Sequence, residues 1–185
     1  SPNQLKKLSE DLQNVSKKTL FISVDQEGGE VHRLKSDYGF LGTPSWKKIG
    51  SLNNELMTRE FSENISSELF NAGINLNFAP VLDLDHGNGT VISDSKRSFT
   101  NDSEILIKHA KIFIEAHKSK GIITSGKHFP GIGTGKTDTH EDFTDLTNSW
   151  SVKDLQPFNK LIKSNDLDMI MISHAFNKRL DPLFP

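Results

Sequence analysis

The chain has 185 residues, with 22 Lys and Arg against 24 Asp and Glu and a formal net charge of −2, so it lacks the basic footprint expected of a partner for nucleic acid or an anionic membrane. It contains no cysteine, which excludes disulfides and thiolate metal sites and fits any redox compartment. Apolar residues make up 34% and charged residues 25%; no apolar run approaches the roughly 20 residues of a membrane-spanning helix, and one domain with a sizeable core is expected.

Residues 3–18 read as a first helix, because Leu5, Leu8, Leu12 and Val15 recur at helical spacing. The opening SPNQLKKLSEDL is amphipathic and does not read as a secretory signal. TLFISVD (19–25) reads as a short buried strand, followed by the loop QEGGEVHRL with its Gly28–Gly29 pair. Met57, Phe61, Ile65, Leu69 and Phe70 mark a second helix, with Gly73 as its stop. INLNFAPVLD (74–83) reads as a second strand and DHGNGTVISDSKRSF (85–99) as a loop. A third helix is expected over 102–120, with Leu106, Ala110, Phe113 and Ile114 on one face and Gly121 behind it. IITSGKHF (122–129) reads as a third strand, with a loop from there to about Asn148. Residues 151–164 read as a fourth helix, with Ser151 and Asp154 spaced as a capping box. Pro157 sits awkwardly there and offers an alternative first turn. DMIMISHA (168–175) reads as a fourth strand. Helix then strand, four times over, implies parallel pairing through right-handed crossovers.

Each strand ends in polar residues: Asp25 with Arg33 in its loop, Asp83 and Asp85, Lys127 and His128, and His174. In a parallel α/β barrel the C-terminal strand ends converge on one face, where active sites lie. Any one of these residues is explained as well by a strand end or helix cap; all four together point to a shared site. Strand alternation should send Lys127 and His128 in different directions, one inward and one sideways, with both able to reach a ligand where the strand twists open at its end. In KHFPGIGTGKTDTH (127–140), Gly131, Gly133 and Gly135 are expected to let the loop move. Asp138, two residues before His140, is placed to orient an imidazole that serves as general acid and then general base.

KHFPGIGTGKTDTH closely resembles the K-H-F-P-G-H-G…D-S-H signature of family 3 glycoside hydrolases, in the β-N-acetylglucosaminidase branch. VDQEGGEVHRL (24–34), GINLNFAPVLDLD (73–85), KRSF (96–99) and MISHAFNKRLDP (171–182) resemble further segments of that branch, in order along the sequence. The resemblance implies a (β/α)8 barrel and a retaining double displacement without cofactor or metal. An Asp nucleophile forms a glycosyl-enzyme, and His140 with Asp138 replaces the usual second carboxylate. It implies that Asp25, Arg33, Arg97, Lys127 and His128 grip the terminal sugar of an N-acetylglucosamine-containing saccharide from peptidoglycan or chitin. The sequence departs from the pattern at Ile132, where a second His is usual, at Glu30 and His32, and mildly at Thr139.

Residues 1–185 are expected to form a partial barrel of about four βα units, with the nucleophilic Asp absent. Two open sheet edges would favour self-association. The isolated chain should bind sugar weakly and hydrolyse nothing. Two other readings stand beside this one. One is a non-catalytic saccharide-binding module. The other is a metal-dependent barrel hydrolase with His128, His140, His174 and Asp138 as zinc ligands; neither an H-x-H near the first strand nor a carboxylated-Lys context supports it.

Overall fold

The computed structural model describes residues 1–185. The first helix, α1 (Pro2–Asn14), has Pro in its opening turn, where a missing N–H is harmless. It stops four residues short of the expected end. The Gln13 side chain donates to Lys18 O at 3.0 Å and accepts from Leu20 N at 3.0 Å, turning the backbone out of the helix.

Strand β1 (Ser23–Val24) follows, then α2 (Trp46–Leu52), which the hydrophobic pattern does not announce. Ser45 caps α2 by accepting from Lys48 N, and its two buried residues are Trp46 and Ile49. With seven residues, α2 is too short for a periodic signal. Helix α3 (Glu55–Asn71) is capped by Asn54 and ends before Gly73, whose φ of 75° continues the backbone in the left-handed region. Strand β2 (Leu76–Asn77), the short helix α4 (Val91–Asp94), helix α5 (Ser103–Lys118), strand β3 (Ile123–Phe129), helix α6 (Val152–Lys163) and strand β4 (Met169–Ile172) complete the order. Ser151 and Asp154 form both halves of the capping box, so α6 begins at Val152, and Pro157 is accommodated inside it, buried.

The strands pair in the order β1-β2-β3-β4, all parallel. β1 and β2 are shorter than expected because side chains replace ladder bonds. Asn75 accepts from Ile22 N at 2.8 Å and donates to Leu20 O at 2.7 Å. Past Asn77 comes Pro80, which has no N–H to donate; Val81 then bridges to Lys127. Three peptide bonds are cis: Ala79–Pro80, Lys127–His128 and Phe129–Pro130.

One face of each long helix packs on this sheet. Phe61, Ile65 and Leu69 of α3, Leu106, Ala110 and Phe113 of α5, and Phe158 and Leu161 of α6 form the core. Trp46 closes one end, its ring 5.2 Å from Phe99 and 5.3 Å from Phe113. The result is four consecutive helix–strand units of a parallel barrel, with the sheet open at β1 and β4.

Candidate active site

Lys127 lies on β3 with 1% of its surface exposed. A buried ammonium is costly unless it is paired. Its Nζ sits 2.7 Å from Asp25 Oδ1 and 2.6 Å from Glu27 Oε1. Glu27, also 1% exposed, receives Arg97 through Nε at 2.9 Å and Nη2 at 2.8 Å. This is the two-pronged geometry that makes Arg–carboxylate pairs strong. Burial pushes the Glu27 carboxyl up, but the Arg97 hydrogen bond and the charges of Lys127 and Arg97 outweigh it and leave it below the usual range.

Arg97 Nη2 also donates to His128 Nε2 at 3.1 Å. That fixes the tautomer: His128 Nδ1 carries the proton and donates to Asp83 Oδ2 at 2.7 Å. Asp83, fully buried, also accepts the N–H of Ile132 at 2.8 Å. Asp25, Glu27, Lys127, Arg97, His128 and Asp83 thus form one continuous polar network across three strand ends. Lys127 and His128 both border the same cleft, as expected of a strand that opens at its end. The register between β3 and β4 slips between Lys127 and Phe129, which breaks the two-residue period at that point.

The loop after β1 is fixed from behind. His117 of α5 is completely buried; its Nδ1 donates to Phe113 O at 2.8 Å, and its Nε2 accepts from Asn77 Nδ2 at 3.0 Å. Burial drops its pKa to about 4, so the ring is neutral. Asn77 in turn bonds both the N–H and the C=O of Gln26. The Gln26 side chain accepts from the N–H groups of Arg33 and Leu34 at 2.9 and 3.1 Å. A neutral histidine in the helical layer thereby sets the path of the segment carrying Asp25, Glu27 and Arg33.

At the rim, His140 Nδ1 lies 2.8 Å from Asp138 Oδ1, and the His140 N–H donates to the same oxygen at 2.9 Å. Those two bonds, the backbone one foremost, hold the Asp138 carboxyl below its usual range. The His140 side chain is 76% exposed, and its ring stands edge-on to His174 with centroids 6.3 Å apart. With Nδ1 held, Nε2 is the nitrogen left for chemistry.

Asp25, Arg33, Arg97, Lys127, His128, Asp138 and His140 all line one cleft of about 440 Å³, with Phe78, Met171 and His174. Asp85 does not join them. It pairs with Lys47 at 3.1 Å and borders a separate depression with His86 and Asn101. The residues weighed as zinc ligands are not gathered into one donor set: both nitrogens of His128 are occupied by Asp83 and Arg97, and no group of three or more His, Asp or Glu is placed to hold a metal ion.

Two of the loop glycines have a packing role that the sequence pattern does not show. A Cβ on Gly131 would meet Asp154 O at 2.7 Å, and one on Gly133 would collide with Leu84 O. These two glycines permit close packing of the loop base against Asp154 and Leu84. Sequence reasoning also passed over Glu27. Its spacing of two from Asp25, in an extended segment, was the available signal.

Residues 1–183 match the Glycosyl hydrolase family 3 N terminal domain. A beta-hexosaminidase from Tolumonas auensis is 36% identical over 184 residues, covering 97% of this chain and 54% of the relative. The structure of a family 3 beta-N-acetylglucosaminidase from Paenibacillus sp. superimposes with a TM-score of 0.90 at 30% identity, covering 100% of this chain and 36% of that one. NagZ from Neisseria gonorrhoeae, solved in complex with N-trifluoroacetyl-D-glucosamine, gives 0.87 at 28% identity over 98% of this chain and 54% of its own. The chain spans about half the length of the curated relatives it matches.

Proposed function

The chain belongs to glycosyl hydrolase family 3, and on that premise we propose that it supplies part of the active site of a retaining β-N-acetylglucosaminidase acting on terminal sugars of peptidoglycan- or chitin-derived oligosaccharides. The observation that carries this reading is the Asp138–His140 pair at the rim of a cleft floored by Asp25, Lys127, Arg97 and His128.

The floor and the rim divide the work. Asp25 faces the cleft with its side chain 34% exposed, and Lys127 fixes one of its oxygens. It accepts hydrogen bonds from sugar hydroxyls, while Lys127, Arg97, Arg33 and His128 complete the grip on the terminal residue. An unliganded Nε2 on His140 suits both halves of a double displacement. As imidazolium, stabilised by Asp138, His140 gives its Nε2 proton to the glycosidic oxygen while a carboxylate attacks the anomeric carbon. The C–O bond breaks and the saccharide leaves as an alcohol. The neutral ring then takes a proton from water, which attacks the same carbon and releases the carboxylate.

The two carboxylates lining the cleft are already committed, Asp25 to Lys127 and Asp138 to His140. The attacking carboxylate is therefore assigned to a part of the barrel beyond these residues, and residues 1–185 alone should bind sugar without cleaving it. The test is a titration of the 185-residue chain with N-acetylglucosamine followed by NMR, together with a turnover assay on chitobiose. Shifts at Gly126–His128 without hydrolysis support the proposal. Hydrolysis by the verified 185-residue chain would overturn the assignment of the nucleophile, and absence of any binding would overturn the sugar site.

A further inference from the structure

The base of the loop bearing His140 is held by a pair the hydrophobic pattern does not reveal. His86 Nε2 lies 2.6 Å from Asp154 Oδ1, joining the segment after β2 to the first turn of α6. The Asp154 side chain is 1% exposed. Its Oδ2 is spent locally, accepting from Ser151 N at 2.9 Å and Ser151 Oγ at 3.2 Å. Oδ1 therefore needs a donor from elsewhere, and His86 is that donor.

The loop main chain lies against both partners. A Cβ on Gly131 would come within 2.9 Å of Asp154 Cβ, and one on Gly133 within 3.0 Å of His86 Cδ2. Between the two glycines, Ile132 N–H reaches Asp83, the carboxylate that also orients His128. Gly135 O accepts from Val91 N at 2.9 Å, closing the fixed stretch. Beyond it, residues 138–143 run over the surface with the His140 and Phe143 side chains in solvent.

We propose that His86 and Asp154 are positioning residues that clamp the base of this loop, confining motion to its tip and keeping His140 and His128 in register across one cleft. The role of His140 rests on the reading above; the clamp itself does not. The charged groups facing His86 are Asp154 from α6 and Asp83 and Asp85 from the segment after β2, with Lys47 of α2 paired to Asp85. All three carboxylates favour the imidazolium, so the clamp is an ion pair in acid and, in base, a hydrogen bond from a neutral imidazole to the Asp154 carboxylate.

Two variants separate a clamp from simple packing. His86→Phe keeps a ring against Gly133 but removes the donor. His86→Gln restores an N–H. The readout is the amide exchange protection of Gly131, Ile132 and Gly135, whose N–H groups donate to His128 O, Asp83 and Ile132 O, measured by NMR on the 185-residue chain at pH 6. His86→Phe should lower protection there about tenfold relative to Ile112 and Phe113 of α5, the mark of a local opening rather than a global one, and His86→Gln should recover most of it. Equal changes in the loop and in α5, or no rescue by Gln, would overturn the proposal. In a longer protein carrying this chain, His86→Phe should lower kcat for N-acetylglucosaminide cleavage about tenfold with KM changed less than about twofold. A wild type without turnover would count against the hydrolase reading, and the exchange measurement would still decide the clamp.

Discussion

Glu27 shows how one buried side chain organises a site. Two cations, Lys127 and Arg97, converge on its carboxylate inside the protein. Removing one partner of a buried ionic group leaves uncompensated charge and costs about 3–5 kcal/mol. Glu27→Gln should therefore lose stability of that order in urea unfolding, far beyond the loss of one hydrogen bond. A change below about 1 kcal/mol would mean that the two cations find water instead. The acid limb follows from the same group. Its folded pKa is depressed below 4.5, so its stabilisation is complete above the unfolded value and is lost as pH falls through the folded one. The tripeptide Asp25-Gln26-Glu27 announces two carboxylates. That the second is structural follows only from its burial, which no short motif conveys.

At the scale of elements, α5 acts on the site through β2. The buried His117 accepts from Asn77, and Asn77 holds the Gln26 backbone. The folded pKa of His117 is about 4 against an ordinary 6.5. A depressed histidine works opposite to a paired one. Below 6.5 the unfolded state takes up a proton that the folded state refuses, so stability falls between pH 6.5 and 4, by about 3 kcal/mol in all. His117→Gln keeps an acceptor for Asn77 and has no titration. Urea midpoints of wild type and variant, measured from pH 7.5 to 4.5, should diverge at neutral pH and converge in acid. Parallel curves would contradict the assignment. His86 works in the other direction. Its folded pKa is raised, chiefly by the Asp154 hydrogen bond. Its contribution is full below the unfolded value and is lost as pH rises through the folded one.

For the whole molecule, the open sheet is the dominant physical fact. β4 presents Ile172 at 70% exposure on an edge with no neighbour, and such edges template further pairing. We expect the 185-residue chain to associate as concentration rises in sedimentation velocity, and Ile172→Lys to weaken that association; a wild type that stays monomeric at all concentrations would contradict this. The layout of the molecule was legible from periodicity. α3, α5 and α6 each carry a long apolar face, and their caps at Asn54, Asp102 and Ser151 are local chemistry. Strand extents were not, because Asn75 and Pro80 end pairing by contacts and gaps that an apolar run does not display. The site divides in the same way. Residues that resemble a known motif could be gathered in advance. Glu27, the His117 relay and the His86–Asp154 clamp depend on contacts between segments 40 to 70 residues apart. The packing role of Gly131 and Gly133 was not legible because Gly reads alike whether it frees a backbone or lets another come close.

The proton transfer proposed for His140 in glycoside cleavage is open to a direct measurement. It is tested by replacing His140 with Gln in a protein that carries this chain with its complete barrel, and comparing kcat/KM on chitobiose with that on an activated aryl N-acetylglucosaminide. Loss of a positioned acid/base costs about 10²–10⁴-fold. A loss of that size is expected on chitobiose and a smaller one on the aryl substrate, whose leaving group needs little protonation. Undiminished cleavage of chitobiose by the His140→Gln protein would contradict it.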